Sequence, residues 1–353
     1  MHISPAPLNP PSSPDQPQST SGSSQTTLYD AAAHHRQKMD EVRAIMLESG
    51  TYLGDVKFRE KGILTWERIG RDDCLVTKQS VEACNVAHKE YVSSLVEPHD
   101  ADVAQDGPPS GPNLEHDMVE LSIVVKITPE DFWMVSCGMW KGPTSMCQSF
   151  ADMKLTCTGI APDDGIFRDD FKTVLDNLGW VMKQKETPDH PEKRGLLIPR
   201  GTSSKIKFRH VLFEATAGTS TNEADDDGDD LGDEFKIKNW PAVHVAARDA
   251  LRDMVNTHRV NPIPAYDVHG TLLPPSTYRS ALEGSVARIH FNLRHWAFPA
   301  TSSSKASNTF VADITYMRVL IPPKVNVTSP RKRKVSRKDS HAQGTPSPKK
   351  IRG

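Results

Sequence analysis

From Val286 to Trp296 apolar and polar residues alternate without a break: Ala287, Ile289, Phe291 and Leu293 on one side, Arg288, His290, Asn292, Arg294 and Trp296 on the other. A period of two is the mark of a strand with one face buried and one face wet. A stretch rich in Ser, Thr, Lys and Asn spans roughly 299–308, and Thr309 to Ile321 returns as a second strand that stops at Pro322-Pro323. The segment reads as a long β-hairpin with a mobile tip. Before it, Pro264 to Gly270 is turn-rich, Ser276 is placed to cap a short helix through Leu282, and Gly284 closes that helix.

The rest of the chain mixes strands and helices without steady βαβ alternation, which predicts an α+β fold built on an antiparallel sheet. Residues 1–27 are Pro, Ser, Gln and Thr, too poor in apolar side chains to order themselves, and are expected to be disordered. Residues 28–97 hold a docking helix with Met39, Val42 and Met46 on one side and Gly50 at its end, two short strands at 62–69 and 74–77, and a second helix at 81–95. After a linker at 98–112, the main domain is expected over 113–328. Within it, Val119 to Ile127 is a strand, and Thr128-Pro129-Glu130-Asp131 starts a helix ending near Gly138. Met153 to Cys157 is a strand, and Phe171, Val174, Leu175 and Leu178 mark a helix stopped by Gly179. Lys205 to Phe213 alternates again, and Asn239 caps a helix with Ala247, Leu251 and Met254 inward.

The formal charge of −2 conceals a separation. An acidic loop within 218–234 carries eight Asp and Glu and no base, whereas 331–353 carries nine Lys and Arg against Asp339, a charge of +8. The body is nearly neutral, so the chain is not a protein that coats DNA by bulk charge; nucleic-acid contact would come from local patches. The tail 329–353 cannot bury enough to fold and reads as a disordered segment with a nuclear localisation signal in two clusters. These are Arg331, Lys332, Arg333, Lys334 and then Lys349, Lys350, Arg352. The same clusters suit a phosphate backbone, or are merely solvated. The expected location is the nucleus and one expected partner is a nuclear import receptor. Five cysteines without a paired C-x-x-C fit a reducing compartment and inert thiols. No apolar run is long enough for a membrane span and residues 1–27 resemble neither signal peptide nor anchor.

Two stripes are candidates for binding. Arg288, His290, Asn292, Arg294 and Trp296 put cations, an imidazole, an amide and an indole on one strand face; Lys205, Lys207 and Arg209 add a second row. Single-stranded nucleic acid is held by such a mixture, cations on phosphates and flat groups on bases. The alternative is an ordinary wet sheet face whose arginines pair with nearby acids and whose Trp296 caps the core edge. The favoured function is nucleic-acid binding, single-stranded DNA first. The runner-up is a nuclear protein–protein interaction module whose basic tail serves only for import.

Ala265-Tyr266-Asp267, Gly270, Pro274-Pro275, Tyr278, Gly284, Val286, Arg288, Phe291 and His295-Trp296 form one part of a recognisable pattern. Val311-Ala312-Asp313-Ile314 and Val319 to Pro323 complete it. This pattern resembles an uncharacterised protein family of mushroom-forming fungi, which implies no activity. More faintly, the same residues are similar to the closing strands of OB-fold single-strand DNA-binding proteins. That likeness implies a partly open barrel sheet with helical insertions.

The sequence holds no Walker loop, G-x-S-x-G, H-E-x-x-H or strand-linked G-x-G-x-x-G. No catalytic residue, metal ligand or cofactor is assigned, and an enzyme is not expected.

Ser329, Thr345 and Ser347 precede prolines and Ser336 lies two residues after Lys334. A phosphate at each adds about −1.5 to −2 charge to the basic clusters. Aspartate at all four positions is expected to slow nuclear accumulation of a fluorescent fusion; unchanged import would rule this control out.

Overall fold

The computed structural model describes residues 23–96, 117–145, 147–163, 165–216 and 231–324. Residues 1–22 of the start expected to be disordered, the linker at 98–112, most of the acidic loop and the basic tail from 329 lie outside the described residues, whereas 23–27, also expected to be disordered, are the beginning of a helix. The chain divides into two units, Met1–Pro323 and Lys324–Gly353; of the second only Lys324 is described.

The elements of the first half are α1 (Ser23–Glu48), β1 (Leu64–Ile69), β2 (Asp72–Thr77), α2 (Lys78–Val96), β3 (Leu121–Ile127), β4 (Lys154–Ile160) and α3 (Ile166–Lys183). There follow β5 (Glu192–Arg194), β6 (Leu197–Arg200), β7 (Ser203–Val211), β8 (Phe213–Ala215), α4 (Val245–Met254), β9 (His258–Val260) and β10 (Ala265–Tyr266). The described residues close with α5 (Tyr278–Leu282), β11 (Val286–Phe298) and β12 (Ser307–Ile321). This is a mixed α+β structure on one large, mostly antiparallel sheet. The expected hairpin is its spine: β11 pairs with β2, β3 and β12, and β12 with β5, β7, β10 and β11.

Five strands follow one another around a path that returns to its start: β3 to β4, β4 to β7, β7 to β12, β12 to β11 and β11 to β3. The order β11-β3-β4-β7 is that of a Greek key, with the fourth strand back beside the first. Two seams are thin. β3 meets β4 through Lys126↔Ile160 and Ile127↔Gly159, and β7 meets β12 through Ala312↔Phe208 and Asp313↔Arg209. The sheet is therefore strongly curled without being closed into a true barrel. Its concave side is the core, lined by Ile123, Val125, Leu155, Cys157, Ile206, Phe208, Ile289, Phe291, Phe310 and Met317. The Phe208 and Phe291 rings meet edge to face at 5.6 Å, across the inside of the path.

The N-terminal helix packs on the convex side. Met39, Val42 and Met46 of α1 cover Val124, Val286 and Leu320 together with Phe167. Arg43 clamps the Asp170 carboxylate at 2.7 and 3.0 Å, and the Tyr52 hydroxyl donates to the same carboxylate at 2.7 Å. Leu53, Phe58 and Leu75 reach the main core, so the residues between α1 and α2 belong to the same packed body.

Four expectations need correction. Residues 128–138 form turns, not a helix, because Trp133 N–H donates to Thr156 O of β4 at 2.7 Å and Asp131 takes a left-handed φ of 59°. α3 runs past Gly179: the roughly 1 kcal/mol propensity cost of that glycine is outweighed by burying Val181 and Met182. Asn239 caps nothing; its side-chain amide donates to Asp233 O, and α4 starts at Val245, still with Ala247, Leu251 and Met254 buried. Ser276 sits inside a 3-10 turn, ahead of α5, and makes no cap.

Gly195 joins β5 to β6 at a φ of +92°, and a β-carbon there would lie 2.3 Å from the Phe310 carbonyl oxygen of β12. Gly195→Ala is expected to cost at least about 2 kcal/mol through strain and backbone displacement, read as a lowered urea midpoint. An unchanged midpoint would show that the β5 edge yields freely.

Candidate nucleic-acid interface

The convex face of β11 carries Arg288, His290, Asn292, Arg294 and Trp296, as the alternation requires. Phe298 continues that alternation, 50% exposed. What lies across from them on β12 is less regular. The register shifts between His290 and Phe291, so His290 faces Tyr316 while Phe291 faces Ile314, and Thr315 is the extra residue. The bulge puts Arg318, Tyr316, Asp313, Val311 and Thr309 opposite the five predicted residues. On β7, Ile206, Phe208 and His210 point inward, leaving Lys205, Lys207 and Arg209 on the convex side, with Arg209 beside Asp313. Both predicted stripes thus share one surface.

Towards the hairpin tip that surface is a compensated network. Arg209 holds Asp313 through two nitrogens at 2.5 and 2.9 Å. Arg294 lies 2.7 Å from Asp72 Oδ2 and 3.4 Å from Asp313 Oδ2. Trp296 donates its indole N–H to Asp72 Oδ1 at 2.8 Å, and the Arg209 guanidinium lies 5.6 Å from the Trp296 ring centre. Two arginines therefore meet two aspartates, and the indole is held edge-on by a carboxylate. Lys205 lies 3.6 Å from both Glu130 and Asp131. Lys207 is exposed and has no ion-pair partner among the described residues. Trp133 is anchored beside Thr156, which pairs with Arg209; its neighbours Phe132 and Met134 are buried and it is 48% exposed.

Towards the base of the hairpin the chemistry differs. Arg288 faces Arg318 directly across the two strands. The Arg288 guanidinium lies 5.3 Å from the Tyr316 ring centre, and Tyr266 stacks on Tyr316 at 5.3 Å. His290 is 3.4 Å from Glu120. Burial first, and the Arg288 charge second, push the His290 pKa below the ordinary imidazole value, with Glu120 opposing. Asn292 is buried and its carbonyl oxygen has no partner among the described residues.

The sequence reading missed Asp72, Asp313, Tyr266, Tyr316 and Arg318. Asp72 and Tyr266 come from other strands, and a strict period of two would put Asp313 and Tyr316 on opposite faces, whereas the bulge at Thr315 brings them to one. Among the described residues no cluster of His, Cys, Asp or Glu could hold a metal ion, and no helix is long and apolar enough to cross a membrane. All five cysteines are free, and complete burial pushes the Cys157 thiol up to about 12.

No protein-family model matches the chain, and no curated protein is significantly similar to it. Among solved structures it is similar to gp2.5, a single-stranded DNA binding protein encoded by bacteriophage T7, at 7% identity and a TM-score of 0.32. The match covers 60% of this chain and 96% of that one. A likeness at that level carries no argument.

On the other side of β11 a buried polar node holds the strip in place. His295 contacts Asp73 Oδ2 at 3.0 Å and Asn308 Oδ1 at 2.8 Å. The Asn308 amide donates to the Thr187 and His190 carbonyls, which fixes its oxygen towards the ring. Burial raises the Asp73 pKa, but hydrogen bonds from His295, Lys185 and Arg68 outweigh it and leave the pKa below the usual value. A carboxylate with a lowered folded-state pKa stabilises the fold above its unfolded pKa, near 4, and loses that contribution as pH falls through the folded value. Asp73→Asn is therefore expected to cost about 3 kcal/mol at neutral pH, and the gap to wild type should narrow below about pH 4 in urea unfolding. A gap independent of pH would contradict the assignment.

Proposed function

We propose that this protein binds nucleic acid, single-stranded DNA in preference, on the convex face of the hairpin and β7. The five-strand Greek-key path is read as an OB-like arrangement with the helices as insertions, and the β11 stripe lies on its outside. The observation that carries the reading is the Trp296 pair: an indole pinned by Asp72 with Arg209 beside it, in line with exposed Phe298 and with exposed Lys207 two residues from Arg209 on β7. Flat side chains fixed in place stack on bases at little entropic cost, whatever the sequence.

Pairing changes the roles first expected of the stripe. Arg294 and Arg209 already have carboxylate partners, so they serve to orient Trp296, and phosphate attraction falls to the cations of the face that lack such a partner among the described residues, Lys207 among them, and to the basic tail. Lys205 is tied to Glu130 and Asp131 in the same way. The tail is proposed to direct the chain to the nucleus through an import receptor and to add non-specific affinity. The second reading, a protein interaction module, draws on the same compensated charges, since a neutral Arg–Asp lattice flanked by Trp133 and Phe298 also suits a protein partner.

The test is fluorescence anisotropy of the full chain with a thirty-nucleotide single strand and its duplex over a salt series, with and without residues 324–353. Trp296→Ala is expected to weaken single-strand binding by about 1–3 kcal/mol, whereas Trp296→Phe, which keeps a stacking ring, retains most of it. Removal of the tail should flatten the salt dependence and leave the Trp296 effect. Binding that vanishes with the tail and ignores Trp296 would refute the sheet-face site and leave the protein-partner reading.

A further inference from the structure

Arg288 and Arg318 stand in one cross-strand pair, and no carboxylate among the described residues lies within ion-pair distance of either. Like charges directly opposite one another on a sheet destabilise it. Arg209 and Arg294, nearer the tip on the same face, each have an aspartate, and this pair has none among the described residues. Each guanidinium has one acceptor: Nη2 of Arg288 donates to the Tyr316 hydroxyl at 3.2 Å, and Nη2 of Arg318 donates to the Val268 carbonyl at 3.1 Å. The Arg288 Nε and the His290 Nε2 are buried without partners. Having accepted from Arg288, the Tyr316 hydroxyl keeps its own hydrogen to donate.

The neighbouring loop brings no acid onto the pair. The acid nearest in the chain to Val268, Asp267, turns into its own loop and accepts from the N–H groups of His269 and Thr271. Gly270, at a φ of +91°, makes room: a β-carbon there would come within 3.0 Å of Arg318 Nη1. Glu120 contacts His290 rather than either arginine.

We propose that Arg288 and Arg318 together form a phosphate-binding site, with the Tyr316 hydroxyl as a third donor. A phosphate offers acceptors to two guanidinium forks at once and relieves their repulsion, whereas a carboxylate fills one fork. The site lies on the same face as the Trp296 strip but is separate from it. Only the assignment of the phosphate to a nucleic-acid backbone rests on the function proposed above; a free phosphate compound is the other source of the same chemistry.

The experiment follows the thermal midpoint of the full chain with inorganic phosphate or acetate at matched ionic strength, and strand affinity by anisotropy. Phosphate should raise the wild-type midpoint and acetate should not. Arg288→Gln removes the repulsion, so without phosphate its midpoint should equal or exceed wild type, and its phosphate response should be lost; Arg288→Lys should keep part of that response. Where Arg288→Gln also lowers the salt slope of strand binding by about 1, the phosphate comes from the backbone. Where the phosphate response is lost but strand binding is untouched, the ligand is a free phosphate compound. Trp296→Ala should keep the phosphate response in either case, so failure of the strand-binding reading does not touch this one. No phosphate response in wild type, an equal response to acetate, or an equal phosphate response in Arg288→Gln would overturn the site.

Discussion

The structure depends on the register of β11 against β12. Both strands are paired along both edges, so a slip of one residue would turn Ile289, Phe291 and Leu293 outward and break pairing with β2, β3, β7 and β10 together. The inward residues of β12 change parity along the strand: Phe310, Ala312 and Ile314 are even-numbered, Met317 and Val319 odd-numbered. One extra residue, Thr315, reconciles the two halves. Its hydroxyl is buried without a partner among the described residues, a local cost accepted in exchange for a continuous core. The same bulge sets the convex face, since it brings Asp313 and Tyr316 to one side.

How much of this was legible in the sequence follows from how local each feature is. The β11 alternation reports a strand with one wet face directly, and five predicted residues do share that face. The helix expected at 128–138 had every local start signal, yet a backbone bond to Thr156 of β4 outweighed it, and no periodicity records such a bond. Gly179 looked like a stop because propensity is local while the burial of Val181 and Met182 is not. The acids that decide the site's electrostatics, Asp72 and Asp313, lie 241 positions apart in the chain and meet only through Arg294.

That pairing separates two kinds of arginine within a single stripe. At the tip, Arg209 and Arg294 are already neutralised, so an approaching phosphate would have to displace Asp313 or Asp72 and leave a charge unpaired. Their guanidinium groups are better understood as a frame that keeps the Trp296 ring edge fixed. At the base, Arg288 and Arg318 have no such partner among the described residues, and their mutual repulsion favours an anion that fits between them.

A surface so divided has a consequence for selectivity. The tip contributes flat groups, which every base can stack on, and the base of the hairpin contributes charge, which every phosphate satisfies. Neither discriminates between base edges. Asn292, expected to face the strand, is buried, and its carbonyl has no partner among the described residues, so it does not offer the outward bidentate amide that reads adenine. On the function proposed above, a strand bound across it would be held by its unstacked bases and backbone, and single-stranded would be preferred to duplex nucleic acid, because a duplex offers phosphates to the arginine pair but withholds its base faces from Trp296 and Phe298.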